Sequence, residues 1–421
     1  MGIVIGLILF IALISGVTYA WLSYTSNSMP VADGTTHCFN INYSNGGNIT
    51  GKVGIINESD FLTSDTISFD PTMAFTSLSL ELDGSCNLIE GIGTIELNVD
   101  SLDSFFTTTE LNPLMYVLAE INPDDYDDLT ADSLSGEDFI YVERGKITST
   151  GTIDIHSEIL KPGVTHTYLL FLYIDKSPAV TGYDATGKSI TAIVSARARQ
   201  LHYASISDFT YTTVTNAGIP FVVLKSYVGA DTVVAIPDTY DIDGVIYTTA
   251  LYGKAGSPPK GTFAFNNFIT DVLLPSRIYL YDDTNIVPNS LDFVFIYSNI
   301  VNAPVIPSGV TSMNNTFGNC TNLKSGSVIP SSVTNMQGVF SACTSLTSSP
   351  VIPGSVTNAI SLLQGCTNLA GTIKFESDGI SSANNIFQGT TKSIIAVVPD
   401  GSTTYTTLND NKPSNVTVVG Y

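Results

Sequence analysis

Four groups of residues in this chain have types and spacings that could do chemistry. Gly182-Tyr183-Asp184-Ala185-Thr186-Gly187-Lys188-Ser189 matches the phosphate-cradling pattern G-x-x-x-x-G-K-S letter for letter. Such a loop needs a helix after it, whose first N–H groups hold the phosphates. Here Ile190-Thr191-Ala192-Ile193-Val194 alternates as a strand, so the stretch reads as a hairpin turn and not as a nucleotide site. Asp124-Asp125-Tyr126-Asp127-Asp128 could attract Ca²⁺, but EF-hand spacing and its glycine are missing, and a solvated acidic loop accounts for the cluster. Asp238, Asp241 and Asp243 before Gly244 read likewise as hairpin chemistry. His37, His156, His166 and His202 are scattered, with no His-x-x-x-His or His-Glu-x-x-His spacing, and no Gly-x-Ser-x-Gly elbow is present. No catalytic, cofactor-binding or metal-ligating residue is assigned, and a non-enzymatic protein is expected.

The five cysteines fall into two groups. Cys38 and Cys86 stand far from the others. In an exported domain they form one disulfide, and the alternative is two reduced core thiols. Cys320, Cys343 and Cys366 are spaced by 23 and 23. A metal site or disulfide is the tempting reading, but equivalent positions of stacked repeats lie one rung apart, which predicts a ladder of buried thiols.

The elements that must position these residues begin with an apolar run. Gly2 to Leu22 carries no charge and spans about 30 Å as a helix, the thickness of a bilayer core. A hydrophobic helix over 1–26 is therefore expected, with Tyr19, Trp21 and Tyr24 as membrane-interface anchors. The first cationic side chain is Lys52, so the basic region that opens a signal peptide is missing. Small residues at Thr18 and Ala20 permit cleavage after Ala20, and anchor and removed signal both stay open.

From 27 to 205 the pattern is short alternating runs, among them Ser77 to Leu82, Thr94 to Val99, Thr167 to Ile174 and Ile190 to Ala198. Eight or nine such runs and no amphipathic helical window predict a mainly β fold, a β-sandwich in this half. A β-rich lead-in over 206–293 precedes a solenoid over 294–421 with a terminal cap. In register run "FGNCTNLKSGSVIPSSVTNMQGV" from Phe317, "FSACTSLTSSPVIPGSVTNAISL" from Phe340 and "LQGCTNLAGTI" from Leu363. An earlier copy from Val294 places Tyr297 at the cysteine position. Apolar residues at a fixed 23-residue interval read as units that bury their core only against their neighbours.

The strings "THCFNINYSNGGNITG" at 36–51, "GSCN" at 84–87, "GTIELNVDS" at 93–101 and "LKPGVTHTYLLFLYID" at 160–175 resemble the exported sandwich proteins of the TasA and camelysin family. That resemblance implies a jelly roll of the extracellular matrix, and fibre assembly in which a segment such as Trp21 to Ala32 completes a neighbour's sheet. The Cys-Thr-x-Leu, Ile-Pro-x-x-Val-Thr and Phe-x-x-Cys pattern of the second half resembles BspA-type leucine-rich repeats. It implies a cell-surface protein engaged in adhesion.

Charge narrows the partners. Lys and Arg number 16 against 38 Asp and Glu, net −22, and charged residues make up 13%, about half the usual ~25%. Without clustered cations, nucleic acid is excluded as a partner, and anionic lipid is disfavoured. Residues 294 to 372 hold only Lys324 and no acid. A cell-surface or extracellular protein is expected, anchored or secreted, that binds a host or matrix protein or glycan through its repeats. The rival expectation is self-association into a filament, by strand exchange or by the N-terminal helix, which would contact the membrane if uncleaved.

Overall fold

The computed structural model describes residues 21–24, 31–33, 41–45, 55–56, 58–69, 73–82, 90–108, 114–122, 134, 137–175 and 189–421. The chain is mainly β, 45% strand and 6% helix. Residues 1–20 with Tyr19 and Ala20, Cys38 and Cys86, the acidic run 124–128, and 182–188 lie outside the described residues.

The first half forms two sheets. One is built from β1 (Trp21–Tyr24), β2 (Val31–Asp33), β7 (Gly91–Leu102), β10 (Gly151–Leu160) and β12 (Ser189–Gln200), in the order β1-β12-β7-β10 with β2 also on β12. The other runs β3-β6-β11-β8-β9-β5 with β4 beside β11. Its members are β3 (Ile41–Asn45), β4 (Ile55–Ile56), β5 (Thr66–Ser68), β6 (Ala74–Leu82), β8 (Leu114–Ile121), β9 (Asp138–Lys146) and β11 (Thr165–Asp175). The count exceeds the eight or nine expected because strands of two to five residues are too short to show a period. Two short helices, Glu58–Phe61 and Ser104–Thr108, also escape the periodic reading.

Alternate residues of both sheets meet in one core, with Leu78, Leu118, Leu170 and Leu172 of the second sheet sharing a cluster with Leu97 and Val194 of the first. In β11 every residue from Thr167 to Asp175 is buried, the signature of a strand covered on both faces. Its other face, Leu169, Phe171 and Tyr173, packs on Phe61 and Phe69 and reaches Val351 of the repeats.

The expected helix over 1–26 fails at Trp21–Tyr24. These residues pair in parallel with β12, from Trp21↔Ser189 to Tyr24↔Ala192, so Trp21 and Tyr24 stand on a sheet edge and not on a helix end. Aromatic residues favour strand, and the edge of β12 offers backbone partners. No helix among the described residues is long and apolar enough to cross a membrane.

From Phe209 to Val418 one continuous hydrophobic core runs through the second half, a β-solenoid of about eight turns, with a smaller cluster of Phe221, Val223, Ala250 and Tyr252 beside it. The stretch 206–293 is continuous with it: a Cβ on Gly261 would lie 2.1 Å from the Phe293 carbonyl oxygen, so only glycine lets these backbones meet. Bridges Ser312↔Asn335, Ser325↔Ser348 and Asn335↔Asn358 join residues one turn apart. The last turns broaden into a parallel sheet of Gly371–Lys374, Ile394–Val398 and Val416–Gly420. Polar side chains stitch the turns. Asn358 Nδ2 donates to Asn335 Oδ1 (3.0 Å), Asn335 Nδ2 to Ser312 Oγ (3.2 Å), and Ser332 Oγ to the Val310 carbonyl (2.6 Å). Ser, Thr and Asn thus replace surface charge with bonds between turns, which accounts for the low charge of this half.

Inside, Phe263, Phe295, Phe317 and Phe340 form a stack with centroids 5.2, 5.4 and 5.9 Å apart. The stack corrects one alignment. Phe295 lies under Phe317, so the turn between them has 22 residues, and Ser298, not Tyr297, precedes Cys320, with Ser298 Oγ 3.5 Å from its Sγ.

The two halves touch through buried and half-buried polar groups. Arg144 donates to the Ser349 carbonyl, and Lys146 Nζ to those of Thr347 (2.8 Å) and Ala370. Lys374 Nζ donates to the Leu62 carbonyl (2.6 Å), and the Ser64 N–H to Glu376 Oε1 (3.1 Å).

Candidate recognition surface

One segment of each turn makes two kinds of hydrogen bond. In Asn315 to Cys320, the N–H groups of Asn315, Phe317 and Asn319 donate to the next turn, at Gln337 (2.8 Å), Val339 (3.1 Å) and Ser341 (2.6 Å). Those of Gly318 and Cys320 close tight turns within the segment, onto Asn315 and Phe317. Alternation of this kind puts two residues per turn, four apart, in the left-handed region. They are Phe293 and Tyr297, then Asn315 and Asn319, Gly338 and Ala342, Ser361 and Gly365, Asn385 and Gly389.

The second of these rows tapers. It begins with Phe265 (φ 59°) and Tyr297 (φ 61°) and continues through Asn319, Ala342, Gly365 and Gly389. A non-glycine residue there costs about 1–2 kcal/mol, and Gly is what the row ends with. Ala342→Gly is accordingly expected to leave stability unchanged or raise it by about 1 kcal/mol, against the usual sign of Ala→Gly. Urea unfolding with an unchanged m-value checks this, and a loss of stability would contradict it.

At the wide end the aromatic pair is exposed. Phe265 (46%) and Tyr297 (42%) stack at 4.8 Å and 6°, and Phe268 nearby is 67% exposed. Bulky side chains in left-handed backbone carry a conformational cost, and strain of this kind gathers at functional sites. Phe265 also lines an open cavity of about 450 Å³ with Lys225, Tyr252, Pro258, Lys260 and Asp283. In it Asp283 accepts from Lys225 Nζ (2.6 Å), Lys254 Nζ (2.9 Å) and the Tyr252 hydroxyl (2.8 Å). Lys225 Nζ lies 3.8 Å over the Tyr252 ring. Bonds from Lys225 and Lys254 hold the Asp283 carboxyl well below its ordinary range, so it stays an acceptor at any physiological pH. Apolar faces beside a few fixed donors and acceptors are the general make-up of a ligand site.

The residues singled out in the sequence are dispersed. Cys320, Cys343 and Cys366 are buried, one per turn, with free thiols donating to the carbonyls of Phe295, Phe317 and Phe340 at 3.1, 3.1 and 3.0 Å. Burial pushes the Cys320 and Cys366 thiols up to about 12, so no thiolate is present to ligate or exchange. Asp243 and Gly244, both at positive φ, make the two-residue turn between Ile242 and Val245, and Asp238 accepts from Ser276. After the P-loop-like string the chain is strand β12. The lysines and aromatics of the shelf stand in the stretch 225–297, ahead of most of the neutral region that the charge pattern favoured.

The histidines are not all scattered. His156 and His166 meet Glu120 and Glu158 at one end of the two-sheet unit. No spacing announces this, since the four come from three strands in two sheets. The one local sign is the pair His156 and Glu158, two apart on β10.

No protein-family model matches the chain, and no curated protein does. Among solved structures it is similar to a leucine-rich repeat protein of T. pallidum (15% identity, TM-score 0.30, covering 52% of this chain and 100% of that one). It is also similar to a leucine-rich cell surface protein of Faecalibacterium prausnitzii A2-165 (20%, 0.22, 43% and 55%). A third likeness is to a leucine-rich repeat protein of Bacteroides ovatus ATCC 8483 (20%, 0.20, 52% and 76%). The solenoid assignment rests on the repeat geometry and not on these likenesses.

Proposed function

We propose that this is a cell-surface or extracellular recognition protein whose repeats bind a carbohydrate at the Phe265–Tyr297 shelf. The carrying observation is the exposed stacked pair, held in strained backbone at the head of a row that elsewhere shrinks to Gly. Sugar rings present C–H faces that pack on aromatic rings. Lys225, Lys260 and the ionised Asp283 beside them offer donors and an acceptor to hydroxyl groups. The four turns that follow supply a flat strip of Asn, Ala and Gly along which a longer chain can lie. Binding of the full chain to a glycan array tests this: retention of a defined set of glycans is expected, and an empty array with a folded protein would sink the reading.

One observation favours a second reading. Strands β1 and β2 cover the edge of β12 in parallel, and an equivalent segment from another copy could cover it instead, giving the filament by strand completion that the TasA resemblance implies. Ordered filaments in electron micrographs of the purified protein would support it, and monodisperse particles would rule it out.

A further inference from the structure

Near the connection from β10 to β11, which passes from the first sheet to the second, four ionisable side chains meet. Glu120 lies opposite Tyr168 in the β8–β11 register, and His166 is two residues before Tyr168, so all three project from the same face, the one that packs on the first sheet. His156 lies opposite Ile95 on β7 and Glu158 opposite Gly93, which brings them from the facing sheet. His166 Nδ1 is 2.6 Å from Glu158 Oε1 and 3.3 Å from Glu120 Oε1, and His156 Nε2 is 3.7 Å from Glu158 Oε2.

We propose that Glu120, Glu158 and His166 form a binding site for one divalent transition-metal ion of the zinc class, with His156 positioning Glu158. The donor set is a nitrogen and two carboxylate oxygens, which suits Zn²⁺. Ligand atoms around a tetrahedral Zn²⁺ stand about 3.4 Å apart, as bond lengths of about 2.1 Å require. The His166–Glu120 distance is already close to that, the His166–Glu158 distance must open by about 0.8 Å when the ion replaces the proton between them, and all three donor atoms lie within 4.8 Å of one another. Charge agrees: two carboxylates neutralise one dication. Access agrees as well, because the Glu120 side chain is 38% exposed while His156, His166 and Glu158 are at 10–21%. Beside the cluster the Tyr168 hydroxyl is fully buried, its ring 6.0 Å from that of His156, and has no hydrogen-bond partner among the described residues. His156 Nε2 stands within ion-pair distance of the second oxygen of Glu158, where it can orient that carboxylate as outer-shell partners do.

The full chain, stripped with chelator, is titrated with Zn²⁺ alone, and Co²⁺ absorption reports coordination. One equivalent is expected to survive gel filtration and to raise the melting temperature. Glu120→Gln, at the exposed edge where folding is least at risk, and His166→Gln should each lower affinity about 100-fold or more, and His156→Gln about 10-fold. Melting temperatures of the metal-free variants establish that they are folded. Failure of the wild type to retain Zn²⁺, or retention with unchanged affinity in Glu120→Gln, would overturn the assignment, the second by placing the ion elsewhere in the chain.

Discussion

Phe340→Ala is expected to lower the unfolding free energy by about 3–5 kcal/mol, the range for deleting a buried aromatic that its surroundings cannot replace. The ring is fully buried and stacks on Phe317 at 5.9 Å and 10°. It also fills the space beside Gly326, where an added Cβ would lie 2.8 Å from both the Phe340 ring and Pro350. The loss does not stay local, because a solenoid is stable only through nearest-neighbour contacts. The turns on either side of Phe340 become uncoupled, and the urea transition should broaden or split. Phe340→Leu is the control. The next turn has Leu363 at the aligned position, so leucine should cost about 1 kcal/mol. A cost for alanine no larger than that for leucine would mean that the stack does not hold the turns together.

The second large effect lies between the two halves. Arg144→Leu is expected to cost about 3–5 kcal/mol at neutral pH, the range for removing one partner of a buried charge pair. Arg144 is 3% exposed, donates to the Ser349 carbonyl of the solenoid and acts electrostatically on Asp175, itself 1% exposed. Burial raises the Asp175 carboxyl above its ordinary 3.8, against the opposing pull of Arg144 and Lys146. A carboxyl raised on folding stabilises the folded state fully below its unfolded value, and that contribution is lost as pH rises through the folded one. Arg144→Leu removes part of the opposing pull, so the deficit should be largest at pH 7.5 and shrink toward pH 4. Denaturant unfolding at the two pH values checks this, and a pH-independent deficit would mean that lost packing, not the buried Asp175 charge, explains it.

The repeats were legible because their most buried residues are the ones that recur: Cys320, Cys343 and Cys366 at 23-residue steps, with Phe317 and Phe340 ahead of them. A fixed 23-residue frame puts Tyr297 in place of Ser298 because the turn from Phe295 to Phe317 is 22 residues long and carries serine where the next three carry cysteine. The tapered row was not legible. Its common property is a backbone angle, met by Phe, Tyr, Asn, Ala and Gly alike, and no side-chain pattern marks it. Nor was the His–Glu cluster, since sheet pairing sets which residues of β8, β10 and β11 meet. The continuous apolar run of β11 could have told more. Seven apolar residues from Tyr168 to Ile174, where a half-exposed strand would alternate, announce a second covering layer, and the solenoid contributes to it through Val351.

The shelf is tested most directly by comparing affinities for the array's tightest glycan among wild type, Phe265→Ala, Tyr297→Ala and Ile140→Ala. Ile140 is 62% exposed on the two-sheet unit and serves as an apolar surface control. Each shelf variant should bind about 10- to 30-fold more weakly, the size of effect a central aromatic contact gives, with Ile140→Ala unchanged. Equal affinity in all four proteins would contradict the assignment of the Phe265–Tyr297 shelf as the recognition site.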